Sequence, residues 1–469
     1  TTWSSSIHVT SGGYGGNYWW DMWPEAYQVS SRNMLLFYTS EVSGAGVYAK
    51  GDGNIWMFNV TWNLTRHHYE FIQNAIDAAN PDDTILVHDG IYMEALYITQ
   101  NVTIKATSKP VIKGSKLFTT DYGDREAVIF VKNAGNVVLE GLDIEGYGLG
   151  PGPTKSYGIL YQNSSGTVRN CIISPNTIGD MYSVGIAAIS RSNLTVEECT
   201  IKNFGRIGVY ATNVENILIS GNEIIGQVYD QDNLVNYGIE IECWDGASTA
   251  TITDNEIYNS DNIHPSPLWS SAAIIIDIWR MFYDLPPSTV AIERNNIHDN
   301  FEAIQVVSNP SLYAHHNNIY NNRYGVYVDP DLYGNNATFD ARFNWWGDAS
   351  GPSGSGPGLG DSIGDYVQYS PWLGYPYGTT PMTYHVDQTG KIQDAIDDAN
   401  AGDTIKVYAG TYTEQLIINK SLTLIGDPRP RILAPDTRST FTIPESGATF
   451  DPIIFAYGSL TGTETISVT

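Results

Sequence analysis

At 469 residues, with a formal net charge of −27 and a pI of about 4.5, the chain is long enough for two or more domains. Charged residues make up only 16%, with 24 Lys and Arg against 51 Asp and Glu, which argues against nucleic acid or anionic lipid as a partner. The three cysteines, Cys171, Cys199 and Cys243, are too few for a disulfide-rich scaffold and lack the spacing of a zinc site.

The chain opens on Thr1-Thr2 rather than Met, and no apolar run reaches the length of a transmembrane helix. We therefore expect a processed, extracellular protein of the cell surface that does not insert into the membrane. Residues 1–66 hold six of the twelve Trp residues and short β-prone runs at 33–40 and 54–63. This composition predicts an aromatic β-rich N-terminal segment, either a small domain or an elaborated cap, with glycan stacking as an alternative role for its aromatic side chains.

Two stretches of the chain, residues 71–94 and 391–414, have nearly the same sequence. Each begins with apolar residues at helical spacing, which are Ile72, Ala75, Ile76 and Ala79 in the first and Ile392, Ala395, Ile396 and Ala399 in the second. Turn residues, a β-branched strand and a Gly-x-Tyr-x-Glu turn follow in both. An amphipathic helix that leads into short strands is suited to covering the first coil of a stacked-strand protein. We call these stretches the first cap and the second cap, and two caps predict two β units.

Between the caps, an apolar-x-x-(Asn, Cys or Leu)-x-Ile motif recurs, and its closing Ile residues lie 22 to 40 residues apart. These are Ile144, Ile173, Ile201, Ile224, Ile257, Ile297 and Ile319. A second short strand precedes most of the motifs. A period in the twenties with two or three short strands per period is typical of a solenoid. We therefore predict that the closing Ile side chains stack in a single interior column.

Alternation along the strands predicts that Ile239 lies in the core, whereas Glu240 and Glu242 point toward solvent. Cys171 and Cys199 occupy the same motif position one coil apart, and we expect buried free thiols because stacked parallel neighbours have poor disulfide geometry. The Asn residues at this position should form a ladder in which each amide bonds the next, and they are Asn222, Asn255, Asn295 and Asn317.

Three features together resemble one protein family: the Asp-Thr-Ile-x-Val-x-x-Gly-x-Tyr-x-Glu continuation of the caps, the Asn-x-Ile coils, and Asn-Trp-Trp-Gly at 344–347. They look like right-handed parallel β-helix proteins of the pectin-lyase-like, NosD-like group found on cell surfaces. The resemblance covers about residues 67–354 and again from 384 onward. It implies an all-β fold, a right-handed parallel β-helix with short capping helices, but it does not fix the chemistry, since one fold hosts many functions.

The sequence predicts four segments. They are an aromatic β-rich N-terminal segment at 1–66, the right-handed parallel β-helix at 67–350, a Gly/Ser/Pro-rich linker at 351–383, and a second short β-helix unit with an open C-terminal end at 384–469.

The resemblance also implies where a catalytic site would lie, because β-helix polysaccharide enzymes use the outward face of one sheet. The Gly-His-Gly and Arg-Ile-Lys tripeptides of polygalacturonase-like members do not occur, and we find no pectate-lyase-like Asp set with a nearby Arg. Strand alignment places Glu242 beside Asp277 on adjacent coils, with Glu240 one step away. Two carboxylates about 5 Å apart suit a retaining glycosidase, or they could hold Ca²⁺. A solvated acidic face is the simpler interpretation, so no catalytic residue or cofactor is assigned.

The composition, the repeated caps and the missing enzyme motifs favour an extracellular structural protein, a subunit of a surface layer, sheath or filament. Such a homopolymer would assemble head-to-tail through β-strand contacts, with the N-terminal strand of a neighbour covering the open C-terminal end. The residues assigned to this contact are Thr1, Thr2, Trp3, Ile466 and Val468. The alternatives are a carbohydrate-active enzyme, a polysaccharide hydrolase or lyase that uses Glu242 and Asp277, and a glycan-binding adhesin.

Seven Asn-x-Ser/Thr sequences could carry N-glycans on an exported protein, although a composition so rich in Asn, Ser and Thr gives about five by chance. They are Asn59, Asn63, Asn101, Asn163, Asn193, Asn336 and Asn419.

Overall fold

The computed structural model describes residues 69–146, 156–175, 182–228, 235–262, 270–276, 285–307, 311–329 and 338–434, together with five strands outside these ranges. The chain divides into two compact units, residues 1–69 and 70–469. In the first unit, three strands form an antiparallel sheet in chain order. These strands are Glu25–Gln28, Asn33–Tyr38 and Trp56–Thr61.

The second unit contains a parallel β-helix in which most coils contribute one strand to each of three sheets. Each strand pairs in parallel with its counterpart in the next coil. The described residues contribute twelve strands to sheet I, eleven to sheet II and nine to sheet III, and the chain passes through the sheets in that order in most coils. The described residues include only two short helices, so the predicted all-β solenoid is confirmed.

The strands of each sheet follow in chain order. Sheet I consists of Leu96–Ile98, Lys116–Thr120, Gly123–Lys132, Ser156–Gln162, Ser183–Ile189, Ile207–Thr212, Tyr237–Glu242, Ala272–Ile276, Glu302–Val306, Tyr324–Val328, Pro352–Gly354 and Gly360–Ile363. Sheet II consists of Asp83–Val87, Val102–Ala106, Val137–Glu140, Ser165–Arg169, Asn193–Glu197, Asn216–Ser220, Thr249–Thr253, Thr289–Glu293, Ser311–His315, Phe339–Asp340 and Val367–Gln368. Sheet III consists of Ile91–Tyr92, Val111–Lys113, Asp143–Glu145, Ile172–Ser174, Thr200–Lys202, Glu223–Ile225, Glu256–Tyr258, Asn296–His298 and Asn318–Tyr320.

The predicted interior column of Ile residues is confirmed in sheet III. Each closing Ile pairs in register with the next, from Ile144 opposite Ile173 to Ile297 opposite Ile319. All seven side chains are fully buried in the main core. Burial of one Ile side chain stabilises a fold by about 1.5–3 kcal/mol. Because a slip of one residue would turn every one of them to the outer face, the column fixes the register of the coils.

The predicted asparagine ladder is also confirmed, and it extends one coil further to Asn344. The Oδ1 atom of Asn255 accepts hydrogen bonds from the backbone N of Asn222 at 3.0 Å and from its Nδ2 at 2.9 Å. The same pair of bonds, at 2.8–3.0 Å, joins Asn255 to Asn295, Asn295 to Asn317 and Asn317 to Asn344. Each buried amide therefore satisfies the next one along the helix axis.

Two thiols continue this ladder toward the N-terminus, and both are buried and free, as predicted for Cys171 and Cys199. The backbone N of Cys199 donates to Oδ1 of Asn222 at 2.9 Å. Its Sγ donates weakly to the carbonyl oxygens of Val168 at 3.5 Å and Glu197 at 3.3 Å. The ladder amides of later coils donate to the equivalent two carbonyls. The thiols therefore take the place of Asn side chains as weaker donors.

Both caps contain the predicted helix, Ile72–Ala78 in the first cap and Ile392–Asp398 in the second. The first helix buries Ile72 and Ile76 in the main core of the β-helix, so it covers the N-terminal end as predicted. An isolated helix of 7 residues is too short to be stable in water, and this packing holds it in place.

The Glu of each Gly-x-Tyr-x-Glu turn caps the helix of its own cap. Glu94 accepts hydrogen bonds from the backbone N of Ile72 at 2.8 Å and of Gln73 at 3.0 Å. Glu414 makes the same two bonds to the second helix, at 2.9 and 3.0 Å. The residue before each helix supplies no capping side chain, so these carboxylates bind the otherwise unpaired N–H groups.

The two caps differ on their outward surface. Four outward residues of the first cap are apolar and exposed, namely Phe71, Leu86, Ile91 and Met93. Their counterparts 320 positions later are Lys391, Lys406, Thr411 and Thr413. The helix-capping bonds are nearly identical in the two copies, so these differences fall on positions that do not hold the cap together.

The second cap opens a further set of coils with its own core. Its strands form two small sheets, which are Trp372–Leu373, Thr383–Val386, Thr404–Tyr408, Thr423–Asp427 and Thr449–Asp451 in one and Thr411–Thr413, Arg431–Ala434 and Ile454–Tyr457 in the other.

The segment predicted to be a linker, residues 351–383, is instead built into the fold. It contributes strands to sheets I and II, and Trp372 within it is fully buried. Its glycines serve tight packing, because Gly351 has a φ of 93° and a Cβ there would come within 2.8 Å of the Trp372 ring. The prediction failed because the Gly, Ser and Pro content of tight turns is also that of flexible linkers.

Candidate functional site

The outer face of sheet I is buried at Glu240 and Glu242, which corrects the predicted exposure of these two residues. Glu240 is 4% exposed and Glu242 is fully buried. Both point away from the core, as strand alternation requires, because the neighbouring positions belong to the main core. The prediction failed because this outer face carries a second apolar cluster, which includes Phe130 and Leu160 and excludes water from the surface of the sheet.

The strand register agrees with the predicted alignment of the carboxylates as far as it can be followed. Ile241 pairs with Ile276, so the same register places residue 277 of the next coil opposite Glu242. Asp277 lies outside the described residues, and its pairing with Glu242 stays a prediction. Glu242 accepts a hydrogen bond from the hydroxyl of Tyr210 on the preceding coil. This contact is buried within the outer face of the sheet.

Glu302 is another buried carboxyl on the outer face of sheet I. Glu302 pairs with Ala272 of the preceding coil, and Ala272 pairs in turn with Tyr237 of the coil before that. It is 1% exposed, and neither carboxyl oxygen has a hydrogen-bond partner among the described residues. Burial raises the pKa of Glu302 well above its ordinary value, so the neutral form is favoured.

A polar groove of about 440 Å³ lies where the strands of sheet I end. Its lining residues come from the ends of five successive coils, from the strand Gly123–Lys132 to the segment after Tyr237–Glu242. Neighbouring coils are about 4.8 Å apart, so five coils span roughly 19 Å along the helix axis. The side chains that line this edge include Lys132, Asn133, Gln162, Asn163, Arg191 and Asn213.

Four of these residues share one backbone conformation. Asn133, Asn163, Ser190 and Asn213 follow paired strand ends in successive coils and have φ values of 48° to 56°, in the left-handed region that Asn adopts more readily than most residues. The same corner is therefore repeated in successive coils, and the lining side chains stand in a row. The Nδ2 atom of Asn163 donates to Oδ1 of Asn133 at 2.9 Å, which links neighbouring coils along the groove.

A hairpin supplies the rest of the lining. The strand Lys116–Thr120 pairs antiparallel with Gly123–Lys132, and Asp121 and Tyr122 form the turn between them. Oδ1 of Asp121 accepts a hydrogen bond from Nε2 of Gln162 at 2.7 Å, and the backbone N of Asp121 donates to Oε1 of Gln162 at 3.3 Å. These two bonds hold the hairpin turn against the edge of the second coil of the groove.

Tyr122 and Asp245 form a proton donor and acceptor pair within the groove. The Tyr122 hydroxyl donates to Oδ1 of Asp245 at 3.0 Å. Burial, the hydrogen bond to Asp245 and the negative charge of that carboxylate all raise the pKa of Tyr122. The phenol therefore stays protonated at neutral pH and serves as the hydrogen-bond donor to Asp245.

Two positive side chains also line the groove. Nζ of Lys132 donates to the carbonyl oxygen of Thr119 at 3.2 Å and lies 5.8 Å from the centre of the Phe130 ring. This leaves further N–H donors of the ammonium group available. The Arg191 side chain is exposed, and its guanidinium has no hydrogen-bond or ion-pair partner among the described residues.

Within the described part of the chain, no three His, Cys, Asp or Glu side chains converge in a group that could hold a metal ion. The assembly residues predicted at the two termini, Thr1, Thr2, Trp3, Ile466 and Val468, all lie outside the described residues.

The predicted glycosylation positions differ in their surroundings. Asn193 and Asn419 are exposed, and Asn163 lines the groove. Oδ1 of Asn101 accepts hydrogen bonds from two backbone N–H groups. Asn59 belongs to a strand of the N-terminal sheet. The remaining two, Asn63 and Asn336, lie outside the described residues.

Sequence reasoning missed the groove. The sequence does contain one signal for the groove. Asn133, Asn163 and Asn213 each directly follow the last residue of a sheet I strand. A polar residue repeated at that corner marks a row of side chains along the solenoid. No sequence signal connects Tyr122 with Asp245, which lie 123 residues apart.

The chain folds into stacked coils that form three parallel sheets, with an asparagine ladder in the core. This architecture is that of the right-handed parallel β-helix proteins. The family model for the right handed beta helix region matches residues 100–276 and 176–341, and the chain belongs to this family. A comparison with curated proteins finds no match. Among the helices of the described residues, none has the length and apolar character needed to cross a membrane.

Several solved structures are similar in fold. A mutant of the periplasmic alginate epimerase AlgG shares 11% identity over 82% of this chain and 83% of its own, with a TM-score of 0.36. An alginate lyase from Paenibacillus sp. str. FPU-7 shares 11% identity over 82% of this chain and 94% of its own, with a TM-score of 0.35. The A-module of mannuronan C-5 epimerase AlgE4 from Azotobacter vinelandii shares 12% identity over 85% and 95%, with a TM-score of 0.31.

These comparisons correct the predicted function. The prediction of a structural subunit of a surface layer, sheath or filament is wrong, because the solved structures named above are polysaccharide-modifying enzymes.

Proposed function

We propose that the chain is a carbohydrate-active enzyme that cleaves a polysaccharide bound along the groove at the end of the sheet I strands. The groove is the observation that supports the proposal, because polar side chains from five successive coils line one open channel. Amide, hydroxyl and carboxylate groups repeat at about 4.8 Å intervals along it. Such a row supplies both donors and acceptors to the hydroxyl groups of an extended sugar chain.

In this proposal, Tyr122 is the proton donor and Asp245 the acceptor. Tyr122 is protonated at neutral pH, so its hydroxyl has a proton to transfer to the oxygen of the glycosidic bond that breaks. The Asp245 carboxylate, 3.0 Å from the phenol, holds it in place and accepts a proton during the reaction. That proton comes from water in hydrolysis or from a sugar C–H group in elimination.

The proposal also includes a site of action outside the cytoplasm. Intact polysaccharides are too large and polar to cross a membrane, so an enzyme that cleaves them meets its substrate in the periplasm or outside the cell. N-glycans at the exposed positions Asn193 and Asn419 would be compatible with such a location. Neither position lines the groove.

The proposed function is tested by incubating the intact chain with a panel of polysaccharides and measuring new reducing ends and ultraviolet absorbance. We expect cleavage of at least one polymer and a roughly 100-fold or greater loss of rate in Tyr122→Phe and Asp245→Asn. Absorbance from an unsaturated product would identify elimination, and its absence would identify hydrolysis.

The matched control is Tyr258→Phe, since Tyr258 also donates to a carboxylate, Glu223, at 3.0 Å but lies on sheet III away from the groove. This variant should cleave at the wild-type rate. Failure of the folded wild-type chain to cleave any polymer, or unchanged rates in both groove variants, would overturn the proposal.

A further inference from the structure

We infer that the hairpin of the groove acts as a lid, and that Gln162 is the positioning residue that holds it in place. When the lid is docked, its tip brings Tyr122 to Asp245, so the proposed proton donor and acceptor meet only in this position. The inference rests on the proposed function, because it concerns the regulation of the same site. It starts from the way in which the base and the tip of the hairpin are held.

The base of the hairpin is anchored by aromatic side chains. Phe118 is 8% exposed and belongs to the apolar cluster on the outer face of sheet I. The centre of its ring lies 5.1 Å from that of Phe130 on the partner strand and 5.6 Å from that of Tyr97. Burial of aromatic rings is a major source of stability, so the base stays attached to the body of the β-helix.

The tip of the hairpin is held together by its own hydrogen bonds. The backbone N of Tyr122 donates to Oγ1 of Thr120 at 3.1 Å, and that hydroxyl donates to the carbonyl oxygen of Gly123 at 2.7 Å. The hydroxyl of Thr119 donates to Oδ1 of Asp124 at 2.9 Å. All these bonds lie within the hairpin, so they persist when the tip moves and keep its shape.

Side-chain hydrogen bonds join the tip to the rest of the groove. Asp121 makes two to Gln162, Tyr122 makes one to Asp245, and Lys132 makes one to a backbone carbonyl of the hairpin. Gln162 ends a sheet I strand and is 1% exposed, so it is the fixed partner of the exposed Asp121. Bonds of this kind are replaced by bonds to water when the tip lifts, so their net contribution is small. The tip is therefore the part of the hairpin that opens locally.

The lid places the two members of the proposed catalytic pair on separate elements. Tyr122 belongs to the hairpin of the first coil of the groove, whereas Asp245 follows the strand of the fifth. Lifting of the tip separates the phenol from the carboxylate and opens the side of the groove to a polymer. Docking of the tip on Gln162 restores the 3.0 Å contact between them. Closure of a lid over a bound substrate completes the catalytic site of many enzymes in this way.

Hydrogen exchange of the intact chain tests whether Gln162 holds the lid. In Gln162→Ala the backbone N–H of Asp121 loses its acceptor, and we expect the amides of the tip to exchange about 10-fold or more faster than in the wild type. The amides around Phe130 should exchange at the wild-type rate, because the base stays anchored. This measurement needs no substrate, so its result does not depend on the proposed function.

The matched control is Gln393→Ala in the second cap. Nε2 of Gln393 also donates to an Asp carboxylate, that of Asp397 at 2.7 Å, and its Oε1 also accepts a backbone N–H, that of Ile417 at 2.8 Å. This variant loses the same two kinds of bond in another part of the chain. It should leave both the exchange of the tip and the rate of cleavage at their wild-type values.

Steady-state kinetics on a polymer that the chain cleaves test the positioning role. We expect Gln162→Ala to lower kcat about 10-fold or more and to change KM by less than about 3-fold, because the row of corner residues still binds the sugar chain. Gln162→Glu should lose at least as much, since two carboxylates then face each other. Addition of Asp121→Asn to Gln162→Glu should restore most of kcat, because the new amide can donate to the new carboxylate.

Unchanged exchange of the tip in Gln162→Ala would overturn the inference and leave the proposed function standing. A fall in kcat that the double substitution does not restore, or an equal fall in Gln393→Ala, would assign Gln162 a general structural role and also overturn the inference. Faster exchange of the tip together with no cleavage of any polymer by the wild type would overturn the proposed function, and the catalytic role of the lid with it.

Discussion

Glu94 accepts a hydrogen bond from the backbone N of Ile72, 22 residues earlier, and this bond joins the last turn of the first cap to the start of its helix. Glu414 and Ile392 repeat it in the second cap. The relationship explains why the helix and the Gly-x-Tyr-x-Glu turn occur together in both copies. The short helix has no local capping side chain, and the Glu of the later turn supplies one.

Removal of this carboxylate should destabilise the N-terminal end of the β-helix. We expect Glu94→Ala to lower the free energy of unfolding by about 1–2 kcal/mol, because two backbone N–H groups lose their acceptor. Chemical denaturation measures the change. Glu70→Ala, at an exposed position just outside the cap, is the control and should stay within about 0.5 kcal/mol of the wild type. Equal effects of the two substitutions would contradict the capping role.

The asparagine ladder makes a second prediction. Asn255→Ala removes an acceptor for two donors of Asn222 and a donor to the carbonyl oxygen of Ile219, all of them buried. We expect a loss of about 3 kcal/mol in the free energy of unfolding, because buried polar groups are left unpaired. Asn216→Ala, at an exposed strand position, is the control and should change it little. A loss of less than about 1 kcal/mol for Asn255→Ala would show that the ladder contributes little.

The thiol end of the ladder allows a prediction of the opposite sign. Cys199→Asn places an amide where the thiol now donates weakly to two carbonyls, and where Asn222 of the next coil can accept a hydrogen bond from it. We expect a gain of about 1 kcal/mol in the free energy of unfolding. Thermal unfolding of the reduced protein measures the change, with Cys199→Ser as the size-matched comparison. A loss of stability in Cys199→Asn would mean that this coil lacks room for the amide.

The regular parts of the fold follow from the sequence because each coil repeats the same local rule. Ile224 and Ile257 recur at the same place in the motif, and stacking then forces them into one column. The burial of Glu242 does not follow from such a rule. Its direction is set by strand alternation, but its burial depends on what covers the outer face, and that is a property of the whole chain.

Buried Glu302 predicts a pH dependence of stability. Its pKa is higher in the folded chain than in the unfolded one, so its contribution to stability is present below the ordinary Glu value of about 4.5 and is lost as the pH rises above it. Glu302→Gln cannot ionise, so its stability relative to the wild type should increase from pH 4 to pH 8. Denaturation at several pH values measures this difference. Glu215→Gln, at an exposed position, should show no such trend, and a constant difference for Glu302→Gln would contradict the prediction.

One part of the groove can be predicted from the sequence, and another part cannot. The row of Asn133, Asn163 and Asn213 comes from a repeated corner, so a search for polar residues after each sheet I strand would find it. The contact of Tyr122 with Asp245 depends on a single hairpin that interrupts the repeat. An irregular insertion obeys no periodicity, so its partner can be read only from the folded chain.

The two caps also have a consequence for protein design. Their helix-capping bonds are nearly identical, yet their outward residues differ from apolar in one copy to Lys and Thr in the other. One scaffold therefore accepts unrelated surfaces without a change in the bonds that hold its helix. A designer of synthetic solenoids needs a terminator with this property, because an uncovered first coil aggregates and its cover must also suit the solvent around it. The second cap, with Lys391 and Lys406 on its surface, is a ready starting sequence for such a part.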